Sequence, residues 1–396
     1  KSFTALAIMK LVEEGKLSLD DAVERYVPLK LRAMGEPIRI HHLLTHTSGI
    51  AALAYAEAFI RGSLQLDGEV WLPLASPQDV ISYMSSYEEW VVDKPGKRFF
   101  YLNEGYVLLG YIISKVTGIE YEDYVKQYIL RPLSMNRTYF RAEEVEKDPN
   151  VATPYIIDRE GRHIAKRFPF GITADGGLLS NAMDMARYVT MLINRGRLEG
   201  TEIVSPKSVE LMERKYVDVP WKLFGDEGYG YGLIITEKFF DRKLVGHSGS
   251  VLVYTAYMGY LPSDGIGVVV LANASGYPLS RIGMYALALA LGHNPEKELS
   301  FLRIENTLRK LEGVYEAYRG SVKYYIERRG DFLALVYRDR YTESTTILVP
   351  EEVRDDYARF YTLIGGAKVY AEFFIERDRV TLLFERYKLV KRGRAS

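Results

Sequence analysis

The sequence predicts an α/β (α+β) domain, an antiparallel sheet flanked by helices, followed by a small antiparallel β-barrel. Three observations carry this. Apolar residues recur at helical spacing through much of residues 3–292, with Ser-Pro or Asn near the starts and Gly past the ends. Residues 243–258 and 265–272 are rich in β-branched and aromatic side chains, with Leu-Pro-Ser-Asp-Gly turn chemistry between them. After His293-Asn294-Pro295 the pattern changes to short alternating runs separated by Gly-Asp, Gly-Gly and Arg-Asp turns.

In chain order, Phe3, Leu6, Met9 and Val12 predict a helix over 3–14, stopped by Gly15. Residues 43–46 close a short helix ahead of Gly49. Helices are expected at 76–87, opened by Ser76-Pro77, and at 105–116, preceded by Asn103 and followed by Gly118. Another covers 184–194, with Gly196 beyond it, and Ser205-Pro206 opens one more. Residues 243–258 and 265–272 read as neighbouring antiparallel strands, followed by a helix over about 279–291. Residues 300–311 form a connecting helix. Short strands are then expected at 313–318, 322–327, 332–337, 345–349, 360–363, 368–375 and 380–384. The domains are placed at 1–298 and 299–396.

The chain has 52 basic and 52 acidic residues, a net charge of +0, which argues against nucleic acid or an anionic membrane as partner. No uninterrupted apolar stretch is long enough to span a bilayer, and a cytoplasmic location is expected. The absence of cysteine excludes disulfides, thiolate nucleophiles and cysteine-ligated metal sites. Glutamine occurs only at 65, 78 and 127 while charged residues are abundant, the bias of heat-adapted proteins. His42 and His46 are spaced i, i+4, but no His-Glu-x-x-His motif accompanies them, so no metal or other cofactor is expected.

Three segments carry the chemistry. The first is Lys1, which opens a helix. The second is Pro95-Gly96-Lys97-Arg98-Phe99-Phe100-Tyr101-Leu102-Asn103, a turn delivering an extended piece with Tyr101 and Asn103 on one side. The third is Gly246-His247-Ser248-Gly249-Ser250, where glycine lets a substrate backbone approach a strand. Order and spacing resemble the Ser-x-x-Lys, Tyr-x-Asn and Lys-Thr-Gly or His-x-Gly motifs of class C β-lactamases, penicillin-binding esterases and CubicO peptidases. His41-His42-Leu43-Leu44-Thr45-His46-Thr47-Ser48-Gly49, Leu108-Leu109-Gly110-Tyr111 and Gly176-Gly177-Leu178-Leu179-Ser180 resemble further family segments. The tail resembles the lipocalin-like barrel of archaeal Ser-Lys-His peptidases that assemble into closed octamers, which implies a homo-oligomer.

That resemblance implies a serine peptidase or amidase on short peptides, whose nucleophile lies three residues before Lys1. No lysine in the chain has a serine at that spacing, so the sequence is expected to start downstream of the nucleophile. A serine hydroxyl must lose its proton as it attacks. An ordinary lysine, with a pKa near 10.4, cannot accept it unless burial or a nearby cation lowers that value. Lys1 is assigned as general base. Tyr101 relays a proton to the leaving group or activates water, and His247 orients or protonates Tyr101. The Ser250 amide, beside Gly249, completes an oxyanion hole with that of the serine, and Asn103 binds the substrate amide. An esterase or a β-lactam or D-amino-acid peptide hydrolase would use the same groups. A non-catalytic binder follows if the serine is absent.

Overall fold

The helix α1 (Ser2–Glu13) is apolar on nearly every side, and Ser2 through Met9 and Leu11 are all buried. A helix of that character belongs in a core rather than on a surface. The fully buried Thr4 Oγ1 donates to the Ala174 carbonyl (2.6 Å) and meets the Tyr121 hydroxyl (2.7 Å). The computed structural model describes residues 1–66, 74, 76–171 and 173–393, in two units, Lys1–Leu291 and Gly292–Ser396. The division lies ahead of the expected residue 298.

Helical segments surround α1. The helix α2 (Ile40–Leu44) ends before His46, which takes a left-handed φ of 56°. His42 and His46 therefore do not share a helix face, contrary to the i, i+4 spacing. The helix α3 (Asn103–Thr117) starts two residues earlier than its apolar pattern predicts, so Asn103 is inside its first turn, and Gly118 ends it at φ 71°. Gly110 of α3 is needed for close packing, because a Cβ there would lie 2.4 Å from that of Ala174. The helix α4 (Ala182–Ile193) is capped by Asn181, whose side chain accepts the Met183 and Asp184 amides, an N-cap the sequence reading passes over. Phe3 of α1 stacks on Tyr188 of α4 at 3.9 Å.

Six antiparallel strands form the sheet in sequential order: β1 (Val217–Asp218), β2 (Glu227–Tyr229), β3 (Ile234–Phe239), β4 (Arg242–Ser250), β5 (Thr255–Leu261) and β6 (Ile266–Ala272). The stretch 243–258, expected as one strand, is two. The chain reverses through Val251–Tyr254, with Leu252 at φ 66°, and returns as β5. A β-rich composition does not reveal such a reversal, because the turning residues are themselves apolar. On β6, Gly267 meets Val189 and Ile193 of α4, while Val268 lies against the helix α5 (Leu279–Ala290). Adjacent strand residues face opposite ways, so the sheet is covered by α4 on one face and α5 on the other.

The second unit opens with the helix α6 (Ser300–Leu311), within the bounds predicted for it. Eight strands follow: β7 (Gly313–Glu316), β8 (Lys323–Arg329), β9 (Phe332–Arg338), β10 (Glu343–Val353), β11 (Tyr357–Ile364), β12 (Ala367–Ile375), β13 (Val380–Phe384) and β14 (Tyr387–Gly393). Each pairs with the next, and β7 pairs with β14 to close the barrel. Ala358, Phe360 and Thr362 of β11 are buried at alternate positions, the period-2 signature of a filled interior. Phe373 sits among Tyr315 and Phe360 at 5.5–6.0 Å between ring centroids, and Leu308 and Leu311 of α6 join this core. The interior is packed with side chains. Tyr315 is fully buried, whereas Tyr318 and Tyr341 are exposed.

Phe373→Ala is expected to destabilise the barrel by about 3–5 kcal/mol, the cost of removing a fully buried aromatic ring. Denaturant titration followed by tyrosine fluorescence checks this, and a loss below about 1 kcal/mol would show a loosely packed interior.

Candidate active site

Lys1 directly precedes Ser2 of α1, and its carbonyl accepts the Ala5 amide at 2.9 Å, a bond of helical spacing. Its ammonium donates to Asn103 Oδ1 (2.6 Å) and to the Asp175 carbonyl (2.6 Å). The same nitrogen lies 4.7 Å from the Tyr101 ring centroid and 5.5 Å from that of Tyr106, within cation–π range. Gly232, at φ 68°, lets the link between β2 and β3 pass the Lys1 backbone, whose carbonyl would sit 3.0 Å from a Cβ there.

Tyr101 comes from the extended piece after the Pro95-Gly96 turn, whereas Asn103, expected on the same piece, is the first residue of α3. Tyr101 lies on the His46 imidazole at 4.2 Å between centroids, tilted by 32°. Leu102, between them, is the N-cap of α3 and is buried.

His247 is on β4. Residues Arg242–Gly246 pair with β3, but from His247 to Ser250 the strand pairs only with β5. That leaves the other edge of this short stretch free of a strand partner. Gly249 and Ser250 lie on it and are exposed, and both line the cleft. The His247 Nδ1 lies 2.5 Å from the Ser248 carbonyl, an acceptor only, so it carries the proton. Its Nε2 is 2.9 Å from the Tyr229 hydroxyl, which therefore donates to it. Burial first, then the Lys1 side-chain ammonium, hold this imidazole well below the ordinary histidine value. The expected pairing of His247 with Tyr101 is not what the geometry gives: the two rings are 6.3 Å apart between centroids, and Tyr229 holds the ring nitrogen instead.

Tyr229 is thus a site residue that sequence reasoning missed. It is fully buried at the end of β2, and its ring meets those of His46, Phe99 and His247 at 4.9–5.8 Å. The segment Tyr229-Gly230-Tyr231-Gly232 was the available signal, but one tyrosine among 31 does not stand out. Two acids were missed as well. Glu104 is buried, its Oε1 accepts the Tyr55 amide (3.1 Å), and burial pushes its carboxyl up to about 7, with Glu57 and Asp175 adding to the rise. Burial also raises Asp175, against the opposing pull of Lys1.

Lys1, Tyr101, Asn103 and His247 all line one cleft of about 1290 Å³. Gly176 and Gly177 form part of its wall. Trp221 stands at its rim, half exposed and edge-on to Phe99 at 5.7 Å. The arrangement presents an amine, a phenol and an imidazole beside an open strand edge. That set can move protons while a carbonyl is held against a backbone. No group of three or more potential ligands for a metal ion occurs among the described residues.

Comparison with known proteins gives two family matches: a beta-lactamase model over residues 1–292, and a Pab87 octamerisation domain over residues 295–390. Among solved structures, the octameric penicillin-binding protein homologue from Pyrococcus abyssi is 56% identical, with a TM-score of 0.93. The match covers 98% of this chain and 86% of that one. The penicillin binding protein from Bacillus halodurans is 25% identical, with a TM-score of 0.57 over 73% of this chain and 82% of that one. Protein flp of Staphylococcus aureus (strain MW2) is 27% identical over 280 residues, 69% of this chain. The chain spans about half the length, 51%, of that relative.

Glu104 yields a pH prediction. Its folded value, about 7, lies above its ordinary 4.5. The folded chain therefore keeps a proton that the unfolded chain releases, and stability falls as pH rises from about 4.5 to about 7. Glu104→Gln should lack this loss, so its stability relative to wild type should rise by roughly 3 kcal/mol between pH 4.5 and pH 8. Denaturation midpoints at the two pH values test it, and a difference independent of pH would refute the assignment.

Proposed function

The chain belongs to the beta-lactamase family, and from that premise we propose that it is a serine hydrolase that cleaves short peptides through an acyl-enzyme. The nucleophile is a serine three residues upstream of Lys1, one helical turn away and on the same face. The observation that carries this reading is the Lys1 amine, held at the start of a buried helix by Asn103 Oδ1 and the Asp175 carbonyl. In the deprotonated form that acts as base, those two acceptors take both N–H bonds and leave the lone pair for the serine proton.

In the proposed sequence the serine oxygen attacks the substrate carbonyl as its proton passes to Lys1. The Ser250 amide and the serine amide hold the oxyanion, with Gly249 giving the substrate backbone access to the strand edge. Tyr101, beside Lys1, carries a proton to the departing amine, and the peptide C–N bond breaks. Water then attacks the ester, gives its proton back through the same groups and releases the acid and the serine. Asn103 holds Lys1 and binds the substrate amide. His247, neutral and fixed by Tyr229, shapes the electrostatics beside Tyr101 rather than donating to it directly.

We further propose that the barrel builds a homo-octamer that restricts access to the cleft. The octamerisation-domain match and the octameric structure at 56% identity support this. So do the exposed apolar side chains Ile347, Leu363, Ile364 and Leu383 on the barrel's outer strands, which suit an interface.

Tyr101→Phe and His247→Ala are each expected to lower turnover by about 100-fold or more with folding barely affected. Steady-state rates on peptide anilides and on the matching esters, in both L and D forms, measure this and identify the acyl donor. Near-normal rates would demote either residue to a structural role. Intact-mass labelling with a fluorophosphonate or β-lactam probe should add one adduct at the serine, and no adduct would leave the binder reading. Light scattering should give an octamer for the full-length protein and a smaller species for a chain ended near Pro295. An unchanged assembly without the barrel would exclude the barrel as the assembly device.

A further inference from the structure

His46 belongs to the His-Thr-Ser-Gly segment, for which the proposed chemistry has no use, yet it sits under the site. It is 1% exposed and takes a left-handed φ of 56°, a region where asparagine, aspartate and histidine are the commonest residues after glycine. Its backbone carbonyl accepts the Phe100 amide at 2.8 Å, and its Nδ1 accepts the Leu102 amide at 2.9 Å. Those amides flank Tyr101, whose ring lies on the His46 ring. The next carbonyl, of Thr47, accepts the Gly96 amide at 2.7 Å and anchors the start of the same segment.

The tautomer follows from these partners. An amide N–H can only donate, so Nδ1 is bare and the neutral ring carries its proton on Nε2. That Nε2 is buried with no hydrogen-bond partner among the described residues, and the Tyr106 and Tyr229 rings lie at 5.0 and 4.9 Å. An unpaired buried N–H is costly, and a phenylalanine would fill the space without it. What phenylalanine cannot supply is the acceptor for Leu102. Burial, then the charge of Lys1, hold the ring well below the ordinary histidine value, and a second ring proton would face the Leu102 N–H.

We propose that His46 is the positioning residue of the site: its carbonyl and Nδ1 take the alternate amides of residues 100 and 102, which aims the Tyr101 phenol and the Asn103 amide at the cleft. The consequence for catalysis rests on the hydrolase reading, whereas the placement of the segment does not.

The test compares His46→Asn with His46→Leu in the full-length protein. Asparagine tolerates the left-handed conformation, and its Oδ1 takes the place of Nδ1. Leucine keeps bulk and loses the acceptor. His46→Leu should lower kcat by about 100-fold with KM little changed, the scale of a misplaced catalytic group. His46→Asn should keep most of the wild-type kcat. Hydrogen exchange over residues 100–102 should quicken in the leucine variant and stay slow in the asparagine one. If the leucine variant does not fold, His46→Gln replaces it, since its side-chain oxygen reaches the Nε2 position and not Nδ1. Equal kcat losses in both variants, or none in either, would overturn the proposal. If the wild type turns over no substrate, the hydrolase reading fails and exchange alone decides: selective loss of protection in the leucine or glutamine variant upholds the placement, and unchanged protection overturns it.

Discussion

Two hydrogen bonds from one ammonium hold the cleft together. Lys1 donates to Asn103 and to the Asp175 carbonyl, so the start of α1, the start of α3 and the segment before Gly176 meet at one nitrogen. The partners lie 102 and 174 residues away in sequence, so the contact exists only because the rest of the unit folds around it. The burial of α1 brings Lys1 to this place, since a helix apolar on nearly all sides has no stable position at a surface. The absence of a side chain at Gly110 and Gly232 lets neighbouring backbone close to the distances these bonds require.

Burial then sets the electrostatics. Glu104 and Asp175 are raised by desolvation, while His46 and His247 are lowered by it. The four shifts share one physical cause, the cost of charge away from water. They leave two neutral imidazoles near the Lys1 charge. The two rings are fixed by different means. His247 is held by a carbonyl and a phenol, whereas the His46 ring accepts only the Leu102 amide, the Phe100 amide going to its backbone carbonyl.

The barrel solves a separate problem. Alternation along each strand fills its interior with Phe360, Phe373 and Tyr315, and α6 contributes Leu308 and Leu311 to the same core. Closure of β14 onto β7 leaves no unpaired sheet edge. Apolar side chains left outside, such as Leu363 and Ile364, have no role in the core of this unit and suit the proposed assembly surface.

The sequence by itself determined the helices, the barrel and the three motif segments, because each is written in local spacing. Gly118 after α3, Ser205-Pro206 before the next helix and the alternation of residues 357–364 are readable one residue at a time. It did not determine the break at Val251–Tyr254, since Leu252 looks like any strand residue until its backbone turns. Nor did it assign His247 to Tyr229, mark Glu104 as a buried acid, or set His46 beneath Tyr101. Those facts depend on which side chains face each other across strands and helices distant in sequence. Propensity and periodicity fix the face a residue presents, while its partner, tautomer and charge follow from the packed environment that only the tertiary structure supplies.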